Sequence, residues 1–123
     1  MFRPTHFDFA AADPDRSAAF YRAVLGWRFE KWGGPMEYWL ITTGREDHPG
    51  INGGMSRKGP NSTGGTVITA DVSDVEAVAK AVEKNGGKVA MPKMPVPGVG
   101  WLIYFTDPEG TLMGAMQRDP DAK

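Results

Sequence analysis

The chain contains no cysteine, which excludes disulfide staples and thiolate metal sites. It also has no long apolar run. The longest, Trp101-Leu102-Ile103-Tyr104-Phe105, falls far short of the ~20 residues a helix needs to cross a bilayer. Met1-Phe2-Arg3-Pro4 lacks the apolar stretch of a secretory leader. Neither sign of charge is in excess: 14 basic residues stand against 15 acidic ones, for a formal net charge of −1. A nucleic-acid binder needs a basic face, and the densest basic stretch is only Arg57-Lys58. Gly64-Gly65 has neither the lysine nor the helix start of a phosphate loop. Ser17, Ser56, Ser62 and Ser73 lack the elbow motif of a serine nucleophile. These absences predict a cytoplasmic protein with neither nucleic acid nor a membrane as partner.

What is present is punctuation. Sixteen glycines and ten prolines among 123 residues imply many turns and short elements. A mass of 13.4 kDa with 41% hydrophobic residues fits one domain, residues 1–123. Residues 5–10 alternate in polarity, so Phe7 and Phe9 share one strand face while His6 and Asp8 share the other. Asp13-Pro14 starts a helix, with Ser17, Ala18, Tyr21, Val24 and Leu25 as its stripe and Gly26 as its stop. Strands are expected over 27–32, 36–43 and 51–57, and a linker over 58–65.

The same order then recurs, about 61 residues on. Residues 66–71 are β-rich. Ser73-Asp74-Val75-Glu76 reads as a capping box, and Val75, Val78, Ala79 and Val82 form one apolar helix face. Asn85-Gly86-Gly87 ends that helix. Strands follow at 88–91, 100–105 and 111–117, the last two joined by the turn Asp107-Pro108-Glu109-Gly110. The proline-rich Met91–Val99 reads as irregular, either a methionine-bearing lid or a plain connection. The fold class expected is α+β: two βαβββ modules (4–57 and 66–118) forming an open half-barrel sheet around a concave cleft. A ferredoxin-like sandwich is the competing assembly.

Several segments resemble the vicinal oxygen chelate superfamily of glyoxalase I, bleomycin-resistance proteins and extradiol dioxygenases. The first module carries His6, Phe20-Tyr21 and Val24-Leu25-Gly26-Trp27; the second carries Asn85-Gly86-Gly87, Pro97-Gly98-Val99-Gly100-Trp101 and Asp107-Pro108-Glu109-Gly110. The resemblance covers about residues 4–118 and implies a homodimer with a small-molecule cleft. It also implies four metal-ligand positions, which fall at His6, near Gly53-Gly54, at Val67 and at Gly114. Only His6 can coordinate a cation; His48, the other histidine, lies in a turn. No cofactor is therefore expected, with a bound divalent metal as the alternative.

Two readings of the site follow. His6 with Asp8 forms an acid/base pair, in which aspartate orients the imidazole tautomer, or His6 is an inherited structural residue. Glu37 either joins them or is a solvated strand end. Tyr38, Trp39, Trp101 and Ile103 either line an aromatic pocket for a small organic ligand or pack the core. The expected function is small-molecule binding without a catalytic metal. The alternatives are a lyase or isomerase using His6 with Asp8, and a metal-dependent lactoylglutathione-lyase-like enzyme.

Overall fold

A computed structural model describes residues 1–60 and 65–123. Residues 61–64 of the expected linker, with Ser62, lie outside the described residues. The chain divides into two compact units, one formed by His6–Thr66 and the other by Val67–Lys123 together with Met1–Thr5.

In the first unit, β1 (Pro4–Ala11) leads into α1 (Pro14–Leu25), then β2 (Arg28–Lys31), β3 (Trp39–Thr42) and β4 (Asn52–Arg57). The strands lie in the order β2-β3-β4-β1. β4 runs parallel to β1 and antiparallel to β3. Asp13 caps α1 by accepting from the Arg16 N–H at 3.2 Å, and Pro14 fills the first helical position, where no N–H is needed. Gly26 closes the helix at φ 72°, a left-handed conformation that costs glycine nothing. The inward stripe is buried Pro14 and Ala18 with half-buried Tyr21, at helical spacing. Val24 and Leu25, expected on that stripe, are exposed. A core of Ala11, Ala18, Phe29, Ile41 and Met55 forms between α1 and the sheet, flanked by Phe7, Phe9, Tyr21, Trp27 and Trp39. Fully buried Ile41 and Met55 each contribute on the order of 1.5–3 kcal/mol.

The second unit repeats the plan with β5 (Val67–Asp71), α2 (Val75–Lys84), β6 (Lys88–Val96), β7 (Gly100–Thr106) and β8 (Leu112–Arg118), in the order β5-β8-β7-β6. β5 and β8 pair in parallel, and the other neighbours are antiparallel. Both units are thus βαβββ modules with the first and last strands side by side, and the chain is α+β as expected. The α2 cap is Asp74, one residue later than the expected box: its carboxylate accepts from the Glu76 and Ala77 N–H groups at 2.9 and 3.2 Å. Val75, Val78 and Ala79 pack against Ile103 and Ala115.

Met91–Val99 departs from expectation: β6 runs through Val96, pairing Met94 with Leu102 and Pro95 with Trp101. It is the last strand of its sheet, so it needs ladder bonds on one side only. One of its two register shifts, between Met91 and Met94, contains Pro92, while Pro95 stays in register opposite Trp101; neither proline can donate. Met91–Val96 is thus sheet, and residues 97–99 form the turn into β7. The β7–β8 turn forms as expected, with Asp107 Oδ1 accepting from the Glu109 and Thr111 N–H groups and Gly110 at φ 88°. Beyond β8 the tail folds back: Ala122 is buried, and its carbonyl accepts from the Gly98 N–H. Among the described residues no helix is long and apolar enough to cross a membrane.

Candidate functional site

Strand alternation in the first unit puts Phe7 and Phe9 on the face that α1 covers and leaves His6 and Asp8 on the other. The backbone register aligns Asp8 with Gly54 and Gly54 with Leu40 across three adjacent strands. Tyr38 precedes Leu40 by two residues, on that same face. It is positioned by the β2–β3 connection, which the Trp32 N–H closes onto the Tyr38 carbonyl at 2.8 Å. The Trp32 ring meets the Tyr38 ring edge-on at 6.0 Å.

From there the tyrosine reaches across Gly54 to β1. Its hydroxyl donates to Asp8 Oδ1 and lies 2.9 Å from His6 Nε2, while His6 Nε2 is 3.3 Å from Asp8 Oδ2. A Cβ on Gly54 would collide with the Tyr38 hydroxyl and ring. The side chains of His6 and Asp8 stay 32% and 23% exposed, so solvent or a ligand can reach the cluster.

Of the other candidates, Glu37 lies before β3 rather than opening it. Its carboxylate binds Arg57 in a two-pronged pair at 2.9 and 3.4 Å and lies 3.7 Å from Lys31. The Arg57 hydrogen bond, more than any other neighbour, holds the Glu37 carboxyl below its usual range. Glu37 thus belongs to a solvated ion cluster and does not join His6. Trp39 packs beneath the sheet with the α1 core, its ring 5.1 Å from Lys31 Nζ. Ile103, 1% exposed, and Trp101 belong to the α2 core of the second unit. Trp101 donates from its indole to Asp119 at 3.0 Å and carries Lys93 Nζ over its ring. The structure therefore gathers His6, Asp8 and Tyr38, and assigns Trp39, Trp101 and Ile103 to core packing, because those three occupy the strand faces that the helices cover. His48 is exposed in the loop lining a polar hollow of about 200 Å³ with Thr43, Arg45, Glu46 and Asn52.

The expected cation positions can be tested one by one. At Gly54 the space is filled by Tyr38, and at Gly114 by Thr69 and Tyr104, whose atoms would crowd any Cβ there. Val67 has no donor. Among the described residues no three histidine, cysteine or acidic side chains converge. A zinc site takes three protein ligands, and this donor set does not fit one.

The sequence profile of the Glyoxalase/Bleomycin resistance protein/Dioxygenase superfamily matches residues 3–113. The chain belongs to that superfamily. Two curated relatives, each named "Putative glyoxylase CFP32", come from Mycobacterium bovis and Mycobacterium tuberculosis. Each is 29% identical over 124 residues, covering 93% of this superfamily member and 45% of the relative. The chain thus spans a little under half the length of these relatives. Among solved structures, methylmalonyl-CoA epimerase from Mycobacterium tuberculosis superposes with a TM-score of 0.71 at 15% identity, over 95% of this chain and 88% of that one. Protein BH1468 of Bacillus halodurans gives 0.73 at 14% identity, over 99% and 98%. Identities this low establish the shared fold and nothing about activity.

Proposed function

We propose that this superfamily member binds a small organic molecule on the helix-free face of its first module, anchored by His6, Tyr38 and Asp8, without a catalytic metal. The observation that carries this reading is the position of the Tyr38 hydroxyl. It stands over Gly54, at a position the family resemblance assigns to a cation ligand, and ties His6 to Asp8. A partly exposed polar trio with internal hydrogen bonds gives a ligand fixed donors and acceptors at little ordering cost. A homodimer in the cytoplasm completes the reading.

The test is a tryptophan-fluorescence titration with bleomycin, S-lactoylglutathione and methylmalonyl-CoA as probes, alongside product analysis. Saturable binding without turnover, weakened about tenfold or more (roughly 1.4 kcal/mol) in H6A, supports it. Stoichiometric zinc, nickel or iron in the purified protein overturns the metal-free part. A second reading, a lyase or isomerase, is favoured by the bonded His6–Tyr38–Asp8 chain, since an imidazole steered by a carboxylate is suited to proton transfer. Turnover that disappears in H6A while affinity persists would select it. Size-exclusion chromatography with light scattering tests the dimer.

A further inference from the structure

A tyrosine hydroxyl has one proton to give, and a carboxylate can only accept. In the cluster of the first module, the Tyr38 proton goes to Asp8 Oδ1. His6 Nε2 lies 2.9 Å from the oxygen of that same hydroxyl and 3.3 Å from the other carboxylate oxygen of Asp8. Both groups facing Nε2 are thus acceptors, and a lone pair on Nε2 would meet two lone pairs and no hydrogen. The hydrogen-bond count closes only if Nε2 carries the proton.

We propose that Asp8, acting through Tyr38, locks neutral His6 as the Nε2–H tautomer and leaves Nδ1 as the acceptor nitrogen offered to a ligand. Asp8 and Tyr38 are then positioning residues. The chain of donors runs Nε2–H to Tyr38 Oη, and Tyr38 O–H to Asp8 Oδ1. Gly54 takes part by omission, since any larger residue would push Tyr38 out of the chain. The ligand class follows: a neutral molecule with a hydroxyl or N–H to donate suits a neutral Nδ1, whereas a carboxylate meets a lone pair and the negative charge of Asp8. This ligand class rests on the binding reading above; the tautomer does not.

The test is long-range proton–nitrogen NMR on full-length, ¹⁵N-labelled protein at mildly alkaline pH. H48Q serves as the background, leaving His6 the single histidine. The expected spectrum has a pyrrole-type Nε2 and a pyridine-type Nδ1. The reverse pattern, or two averaged nitrogens, overturns the proposal, and this measurement requires no change within the cluster. D8A, which frees the Tyr38 proton to turn toward Nε2, is expected to bring in the Nδ1–H tautomer, and Y38F to loosen the preference. A pure Nε2–H tautomer in both variants would show that neither residue sets it. Titration with hydroxyacetone is expected to move the Nδ1 resonance while acetate leaves it in place. A response to acetate, or to neither probe, overturns the ligand class while leaving the tautomer standing.

Discussion

The Tyr38 hydroxyl occupies the space that a side chain on Gly54 would need. The two residues are sixteen positions apart, on β4 and in the connection entering β3, and a side chain at 54 requires Tyr38 to move. Glycine permits the tyrosine to cross the strand, and the tyrosine fills what the glycine leaves open. Gly53 repeats the device on the other face, where the Phe7 ring lies 2.6 Å from where its Cβ would stand.

This coupling predicts that G54A destabilises the protein by about 1–3 kcal/mol through overpacking against Tyr38. In a Y38A background the same substitution should cost markedly less. Urea denaturation of the four proteins in the cycle measures the coupling. Equal costs in the two backgrounds would refute it.

Ile103, for which pocket lining and core packing were both open, sits in the α2 core with Val75 and Ala115. I103A should therefore lower stability by about 2–5 kcal/mol, the range for opening a cavity in a packed core. Ligand affinity measured well below the melting temperature should stay unchanged. A loss of affinity with stability intact would return Ile103 to the binding surface.

The start of α2 offers a direct comparison of adjacent residues. Asp74 accepts two first-turn N–H groups, so D74A should cost about 1 kcal/mol. S73A should cost little by the same thermal or urea measurement. The reverse ranking would restore serine as the cap.

Asp119 gives a pH dependence with a definite sign. The Trp101 indole N–H, followed by the Asp121 backbone N–H, holds its carboxyl below the ordinary value in the folded protein. A depressed folded value means the contribution is fully present above the ordinary carboxylate value and is lost as the pH falls from there through the lower folded one. D119N should therefore lower the melting temperature at neutral pH and flatten its decline toward acid. Parallel curves for the two proteins would contradict this.

Much of the architecture was legible in the sequence because it is written in local rules. The period-2 alternation of Thr5–Ala10, the Asp13-Pro14 start, the Gly26 stop and the Asp107–Gly110 turn each depend on residues within a few positions of one another. Met91–Val96 was not legible. Prolines argue against a strand in general, and only its place at the end of a sheet relaxes that rule. The division of the aromatic candidates, with Tyr38 beside His6 and Trp39 and Trp101 against the helix-covered cores, was hidden for a related reason. Alternation separates Trp39 and Ile41 from Tyr38 and Leu40, but it cannot say which pair the helix covers. One signal did point to the site: adjacent glycines at 53 and 54, inside a strand, mark a close approach by something else.

By itself the sequence determined the two repeated modules, the cap of α1, the Asp107–Gly110 turn, and the shared strand face of His6 and Asp8, since each follows from near-neighbour geometry. Only the tertiary structure decided that Tyr38 would stand between those two side chains and that Trp39, Trp101 and Ile103 would be core. Those outcomes depend on strand register and on which face each helix buries, and both are fixed by packing between segments distant in the chain.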